Sequence, residues 1–146
     1  MSSGFLLDTC ILVHLVRGDE IGRRIQKAHN LRAFYAECLI SAVTRGEMEK
    51  LGREFGWDNA KLTAMRDLMD QLVTVDIIDP TIIHNYAEID CFSDHAGKVM
   101  GKNDAWIAAT AKATGYTLMT NDKDFDHLHP VHLNLLFIDS DAASTS

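Results

Sequence analysis

The sequence has few cysteines, few prolines and no long apolar run, and each shortage excludes a class of protein. Only 3 cysteines and 2 prolines occur in 146 residues. So small and odd a cysteine count argues against a disulfide framework and favours a reducing compartment, with Cys10, Cys38 and Cys91 as core thiols. No apolar run approaches the about 18 to 20 residues of a membrane-spanning helix. The first residues, MSSGFLLDT, lack the features of a signal peptide, so we expect a cytoplasmic protein with no membrane partner.

Positive charge is also scarce. The chain has 14 Lys and Arg residues against 21 Asp and Glu residues, and its formal net charge is −7. Proteins that hold nucleic acid through a broad basic face usually carry an excess of Lys and Arg, because those side chains displace counterions. The charge balance therefore argues against a binder of that type. It does not exclude an enzyme that contacts nucleic acid at a metal-filled acidic site.

Short apolar runs alternate with segments of helical spacing, which predicts an α/β fold. The runs are too short for helices and lack polar alternation, so we expect strands that are buried on both faces of a parallel sheet. They lie at 5–7, 38–40, 73–75, 117–119 and 135–138. The helical segments lie at 11–17, 20–29, 42–55, 59–72, 81–91 and 105–114. We predict one domain over 1–139, a mobile polar loop at 93–103 and a disordered tail at 140–146.

Acidic residues follow two of the predicted strands. Asp8 comes directly after the first run, and Asp122 lies just past the run at 117–119. Ligands of open parallel α/β sheets bind at the carboxyl ends of the strands, near the point where the strand order reverses. We therefore expect both carboxylates at one edge of the sheet.

Two further acids are expected to reach the same edge. Asp104 stands at the N-cap or in the first turn of an apolar helix, and Glu47 lies about two turns into the helix that follows Ser41. Four carboxylates that meet there would repel one another and raise their own pKa values unless a cation is bound. Mg²⁺ and Mn²⁺ prefer oxygen ligands, and a pair of such ions suits the hydrolysis of a phosphodiester. The alternative for Asp8 and Asp104 is a capping role alone.

Four segments, in order along nearly the whole chain, carry a recognisable pattern. They are LLDTCILVHLV at 6–16, ISAVTRGEM at 40–48, GKNDAWIAATAKATGYTLMTNDKDF at 101–125 and LLFID at 135–139. These segments resemble the PIN-domain ribonucleases, most closely the VapC-type toxins of toxin–antitoxin pairs. The resemblance implies a three-layer α/β/α sandwich with a central, mainly parallel sheet of four to five strands. It also implies an endoribonuclease that depends on Mg²⁺, with Mn²⁺ as a substitute.

The same resemblance assigns catalytic and metal-binding residues. It makes Asp8 the ligand after the first strand, Glu47 the helix carboxylate and Asp104 the ligand that opens the late helix. The fourth ligand is either Asp122 or Asp124, since family members place this acid at either position. We favour Asp122, which is nearer the end of the strand.

Polar neighbours are expected to support these acids. Thr9 and Thr120 carry hydroxyl groups beside the expected ligands, and the resemblance makes Thr120 a hydrogen-bond partner for a carboxylate or a metal-bound water. Asn121 either acts in the same way or only forms the turn after the strand. Lys98 and Lys102 are candidates for contact with RNA phosphate, or are solvated loop lysines.

The resemblance also implies three partners, which are an RNA substrate, a cognate antitoxin and a second copy of the chain. The first two helices carry an apolar face that is larger than one helix on a sheet requires, and helix-in-groove docking fits such a face. Its residues are Leu12, Leu15, Val16, Ile21 and Ile25. The same helices carry a basic cluster that suits RNA, an acidic groove of a partner or plain solvation. Its residues are Arg17, Arg23, Arg24 and Lys27.

Other functions receive less support. His127, His129 and His132 suggest zinc, but Pro130 interrupts the segment and no cysteine lies nearby, so we set that reading aside. A catalytically inactive PIN-like module that binds RNA or protein is the main alternative to an enzyme. A metal phosphatase that acts on small phosphoesters is another.

Overall fold

Five short parallel strands form the centre of the computed structural model, which describes residues 4–140. The strands are β1 (Phe5–Leu7), β2 (Leu39–Ser41), β3 (Val73–Val75), β4 (Thr117–Thr120) and β5 (Leu135–Phe137). They lie in the order β3-β2-β1-β4-β5, and every neighbouring pair is parallel. The predicted α/β fold with a parallel sheet is confirmed.

Helices cover both faces of this sheet. They are α1 (Thr9–Arg17), α2 (Glu20–His29), α3 (Ala42–Glu54), α4 (Asn59–Gln71), α5 (Pro80–His95) and α6 (Lys102–Thr114). Successive strand residues point to opposite faces, so Leu7 packs in the core beneath α1 to α4 whereas Leu6 packs beneath α5 and α6. The architecture is therefore a three-layer α/β/α sandwich.

The strand order reverses between β1 and β4. From β1 the chain proceeds outward through β2 to β3, then crosses to β4 on the other side of β1 and continues to β5. The first crossings use α1 to α4 and the return crossing uses α5 and α6, which explains why the two groups of helices lie on opposite faces. The carboxyl ends of β1 and β4 thus meet at the reversal point, where parallel sheets of this kind form a ligand crevice.

Several details differ from the sequence predictions. β3 is an edge strand whose Val73 is 46% exposed, so this strand is not buried on both faces. Cys91 lies exposed on α5 and is not a core thiol, whereas Cys38 is buried. The predicted loop at 93–103 is shorter, because α5 continues to His95 and α6 already begins at Lys102.

Other segments were not predicted or lie beyond the structure. Two short 3-10 helices, Leu31–Glu37 and Lys123–Leu128, occupy stretches without helical spacing. The predicted tail at 140–146 lies outside the described residues, apart from Ser140. None of the helices within 4–140 combines the length and the apolar character that a bilayer crossing requires.

Candidate metal centre

Asp8 stands at the carboxyl end of β1 and is buried. Its backbone N–H donates to the carbonyl of Met119 at 3.0 Å, which extends the pairing of β1 with β4 by one residue. One carboxylate oxygen accepts from the Thr9 N–H at 2.8 Å and caps α1. The other accepts from the Thr120 hydroxyl at 2.6 Å and from the Cys10 thiol at 3.3 Å. Asp8 therefore caps α1 and also lies in the crevice.

Thr120 connects two of the predicted ligands. Its hydroxyl is fully buried, donates to Asp8 and accepts from the Asp122 N–H at 3.0 Å. This one oxygen fixes the Asp8 carboxylate and the start of the turn that carries Asp122. The predicted hydrogen bond from Thr120 to a carboxylate is present.

Glu47 projects from α3 toward the same crevice. Its Oε1 accepts from the Thr9 hydroxyl at 2.6 Å, and its Oε2 accepts from the Asn103 amide at 3.1 Å. The Thr9 hydroxyl also lies 3.1 Å from the hydroxyl of Thr44. Sequence reasoning missed Asn103 and Thr44, although each has a local signal. Asn103 directly precedes Asp104, and Thr44 lies three residues before Glu47, on the same helix face.

Asp104 lies in the first turn of α6, whose N-cap is Gly101. Burial, followed by the negative charges of Asp8, Asp122, Glu47 and Asp124, raises its pKa from 3.8 to about 7. No donor within the described part of the chain hydrogen-bonds to this carboxylate. Burial also raises the pKa of Asp8, with the charge of Asp122 adding to the effect while the Thr120 hydroxyl opposes it. Like charges therefore accumulate around Asp104 without compensation.

The turn after β4 supplies the remaining acids. Asp122 accepts from the Asp124 N–H at 2.9 Å and begins the 3-10 helix Lys123–Leu128. One carboxylate oxygen each from Asp104, Asp122 and Asp124 can be chosen so that all three lie within 4.8 Å of one another. Asp122 is half-buried, whereas Asp124 is exposed at the rim. Both candidates for the fourth position thus approach Asp104.

The four predicted catalytic acids line one cleft of about 290 Å³. Thr9, which was predicted to support the acids, lines the same cleft. The cleft also contains a stripe of α1 at helical spacing, which comprises Cys10, Val13, His14 and Arg17. Positions separated by three, four and seven residues share one helix face, so this stripe could have been read from the sequence once Asp8 was placed at the start of α1.

Asn121 does more than form a turn. Its side-chain amide contacts His14 Nε2 at 3.1 Å, and His14 Nδ1 contacts the Asp19 carboxylate at 2.8 Å. Because Asp19 also accepts from the Gly22 N–H at 2.9 Å and caps α2, this chain of bonds ties the turn after β4 to the α1–α2 junction.

The lysine and histidine candidates have partners outside the cleft. Lys102 donates to Asp90 of α5 at 2.9 Å, and exposed Lys98 lines a neighbouring depression together with Asp124 and His127. His127 contacts the buried Ser93 hydroxyl at 2.7 Å, His129 accepts from the Leu135 N–H, and His132 contacts Lys112. His127 and His132 also both lie against the Phe92 ring, and among residues 4–140 the three histidines do not form a group that could hold a metal ion.

The donor set fits a hard divalent cation. Mg²⁺ and Mn²⁺ prefer oxygen ligands, and five acids at the site offer carboxylate oxygens, namely Asp8, Glu47, Asp104, Asp122 and Asp124. Burial, and after it the charges of the neighbouring carboxylates, raises the pKa of Asp104, and a bound cation would favour its ionised form. The cleft also leaves room for water and substrate oxygens, which Mg²⁺ retains as ligands.

We predict that Thr120→Val lowers the rate of the expected RNA cleavage by about 10- to 100-fold, which is the usual effect of removing a group that orients a metal ligand. The valine keeps the volume of the side chain but leaves Asp8 Oδ2 and the Asp122 N–H without their shared hydroxyl. Thr110→Val is the matched control, because that hydroxyl is equally buried and, within residues 4–140, bonds only to the Trp106 carbonyl of its own helix. Equal activities of the two variants would contradict the prediction.

Comparison with known proteins finds the same family that the sequence segments resemble. The family model of the PIN domain matches residues 5–129. The curated protein "Ribonuclease VapC2" of Haemophilus influenzae is 22% identical over 125 residues, which cover 85% of this chain and 91% of that protein.

Solved structures share the fold. VapBC2 from Rickettsia felis, crystallised with a DNA fragment from their promoter, matches with a TM-score of 0.75 and 20% identity over 93% of this chain and 99% of that chain. VapBC-1 from nontypeable Haemophilus influenzae matches with a TM-score of 0.69 and 22% identity over 92% and 97% of the two chains. At 20% and 22% identity, this likeness shows a shared fold only.

Proposed function

Since the chain belongs to the PIN domain family, we propose that it is a metal-dependent endoribonuclease that hydrolyses RNA phosphodiester bonds. One observation carries the proposal. Carboxylates from β1, α3, α6 and the turn after β4 surround Asp104, and their charges help to raise its pKa to about 7. Such repulsion costs stability in the metal-free protein, and a bound cation that serves catalysis would relieve it.

The proposed metal is Mg²⁺, with Mn²⁺ as a substitute. Asp8, Glu47, Asp104 and Asp122 would hold it, with Asp124 available at the rim. When bound, it would lower the pKa of an attacking water and neutralise charge on the scissile phosphate.

The protein's own side chains prepare this site. Thr120 and Thr9 hold one oxygen each of Asp8 and Glu47, so these carboxylates are oriented before any ligand arrives. Asn103 restrains the second oxygen of Glu47. Asp104, which receives no such restraint within 4–140, loses its proton near neutral pH.

We further propose that the protein is the toxin of a toxin–antitoxin pair. The matched relatives carry the names VapC2, VapBC2 and VapBC-1, which supports a cognate antitoxin and action in the cytoplasm. A homodimer through α1 and α2 remains a prediction. Leu12 and Ile25 of that face are already buried within the chain, whereas Leu15, Val16 and Ile21 are partly exposed.

Incubation of the purified protein with total RNA, followed by sequencing of the RNA ends, tests the activity. We expect discrete cuts in millimolar Mg²⁺, no cuts in excess EDTA, and recovery when Mg²⁺ is restored. A phosphatase would hydrolyse a chromogenic phosphomonoester and leave RNA intact. An inactive module would leave both substrates intact, so either pattern would reject the proposal.

Asp122→Asn and Asp124→Asn distinguish the two candidates for the fourth ligand. We expect the larger loss of activity from Asp122→Asn, because Asp122 lines the cleft and is half-buried whereas Asp124 is exposed. Titration of each variant with Mg²⁺ under single-turnover conditions measures the difference. A larger loss in Asp124→Asn would assign the fourth position to that residue.

A further inference from the structure

Positive charge is concentrated at α2 and its two flanks. Five of the 14 Lys and Arg residues lie within 17–32, together with only two acidic residues, Asp19 and Glu20. Both oxygens of the Asp19 carboxylate are occupied, by the Gly22 N–H and by His14. The local charge is therefore positive in a protein whose net charge is −7.

Three of these cations have no carboxylate partner in the part of the chain that the structure describes. Arg23, Lys27 and Arg32 are exposed, and within residues 4–140 none of them forms an ion pair. Arg23 donates to the carbonyl of Gly18 at 2.5 Å, which leaves its charge uncompensated. Elsewhere, ion pairs with carboxylates hold several cations of α3, α4 and α6, which are Arg45, Lys50, Arg66, Lys102 and Lys112.

The three side chains surround a groove of about 330 Å³. The same groove is lined by Leu15 and Gly18, at the end of α1. His14 and Arg17, at that same end of α1, line the metal cleft. The end of α1 therefore lies between the basic groove and the metal cleft. Since an α-helix is about 10 Å wide, the two sites are separated by roughly the width of one helix. A short stretch of single-stranded RNA can span that distance.

We propose that this basic groove binds backbone phosphates of the RNA that flank the bond to be cut. The inference rests on the proposed function and adds a source of RNA affinity that does not require the metal. Three uncompensated cations suit phosphate groups, which Arg and Lys bind through charge and hydrogen bonds. Among the described residues, Leu15 is the only large apolar side chain that lines the groove. Hot spots of protein interfaces are enriched in Trp and Tyr as well as Arg, and no aromatic residue of the described chain lines this groove, which favours RNA over an acidic peptide.

A triple variant, Arg23→Gln, Lys27→Gln and Arg32→Gln, tests the proposal. The control variant, Lys50→Gln, Arg53→Gln and Lys61→Gln, removes the same charge from α3 and α4. Both are made in the Asp104→Asn protein, which is expected to leave RNA uncut. Fluorescence anisotropy then measures the Kd of a single-stranded RNA oligonucleotide at several salt concentrations, and thermal melting verifies that each variant is folded.

We expect the groove variant to bind RNA at least about 10-fold more weakly than the control at low salt. The slope of log Kd against log salt concentration should fall by about 2, because each lost phosphate contact on a single strand removes about 0.7. Equal affinities and equal slopes would overturn the proposal and leave an acidic protein segment as the ligand of the groove. The cleavage assay on the unmodified protein reports separately on the nuclease function, since it can fail while salt-dependent RNA binding persists.

Discussion

Asp104→Asn is expected to lower the rate of RNA cleavage by more than about 100-fold at saturating Mg²⁺. Removing a group that only orients a metal ligand usually costs 10- to 100-fold, and Asp104 is proposed as a ligand itself. It also lies where the fields of Asp8, Glu47, Asp122 and Asp124 overlap. An amide there keeps an oxygen donor but removes the charge that holds the cation. Single-turnover cleavage of a mapped RNA site measures the loss.

Asp67→Asn is the matched control for this change. Asp67 is an exposed residue of α4 and lies outside the metal cleft, so the control alters the net charge equally without touching the site. We expect its cleavage rate to remain within about twofold of the unmodified protein. Retention of full activity by Asp104→Asn would reject the metal-dependent mechanism, whatever the RNA target.

The same substitution is expected to stabilise the metal-free protein. Folding raises the pKa of Asp104 from its ordinary 3.8 to about 7, so the folded state binds a proton more tightly than the unfolded state. The contribution of this group to stability is therefore fully present below about pH 4 and is lost as the pH rises through 7. At pH 8 the loss is about 2 kcal/mol after allowance for solvent screening, and removing it should raise Tm by about 4–8 °C.

Thermal melting in EDTA between pH 5.5 and pH 8 measures this effect. The Tm of the unmodified protein should fall across that interval, and the Tm of Asp104→Asn should fall less. The raised pKa of Asp8 contributes a remaining slope in the variant. Millimolar Mg²⁺ should raise the Tm of the unmodified protein at pH 8, because a ligand that binds only the folded state stabilises it. A lower Tm of the variant in EDTA at pH 8 would show that the acids do not repel one another.

The sequence predicts well those features that depend on neighbouring residues. Runs such as Phe5–Leu7 and Val73–Val75 are correctly predicted as strands, because a short apolar run between helical segments is typical of a strand in an α/β domain. The short 3-10 helices were missed because their few residues show no apolar period of 3.6. The exposure of Cys91 was misjudged, since burial on α5 depends on which side of that helix meets the sheet.

The residues of the candidate site are likewise predictable only in part. The positions of Asp8 and Asp122 after their strands, and the resemblance of four segments, were enough to nominate the acids from the sequence. The partners of those acids were not all predictable, because they come from remote segments. Asn103, which reaches Glu47 across 56 positions of the chain, was not predicted. Thr120, which reaches Asp8 across 112 positions, was nominated only through the resemblance.

By itself, then, the sequence determined the alternation of strands and helices and the acids at the strand ends, since both follow from local apolar spacing and residue type. Only the tertiary structure decided which charges are compensated. The crossover that places β4 beside β1 brings four other carboxylates close to Asp104, and the packing of α1 beside α2 leaves Arg23, Lys27 and Arg32 without ion-pair partners among residues 4–140. Charge interactions fall off with distance and solvent exposure, so they depend on positions in space that the order of residues along the chain does not state.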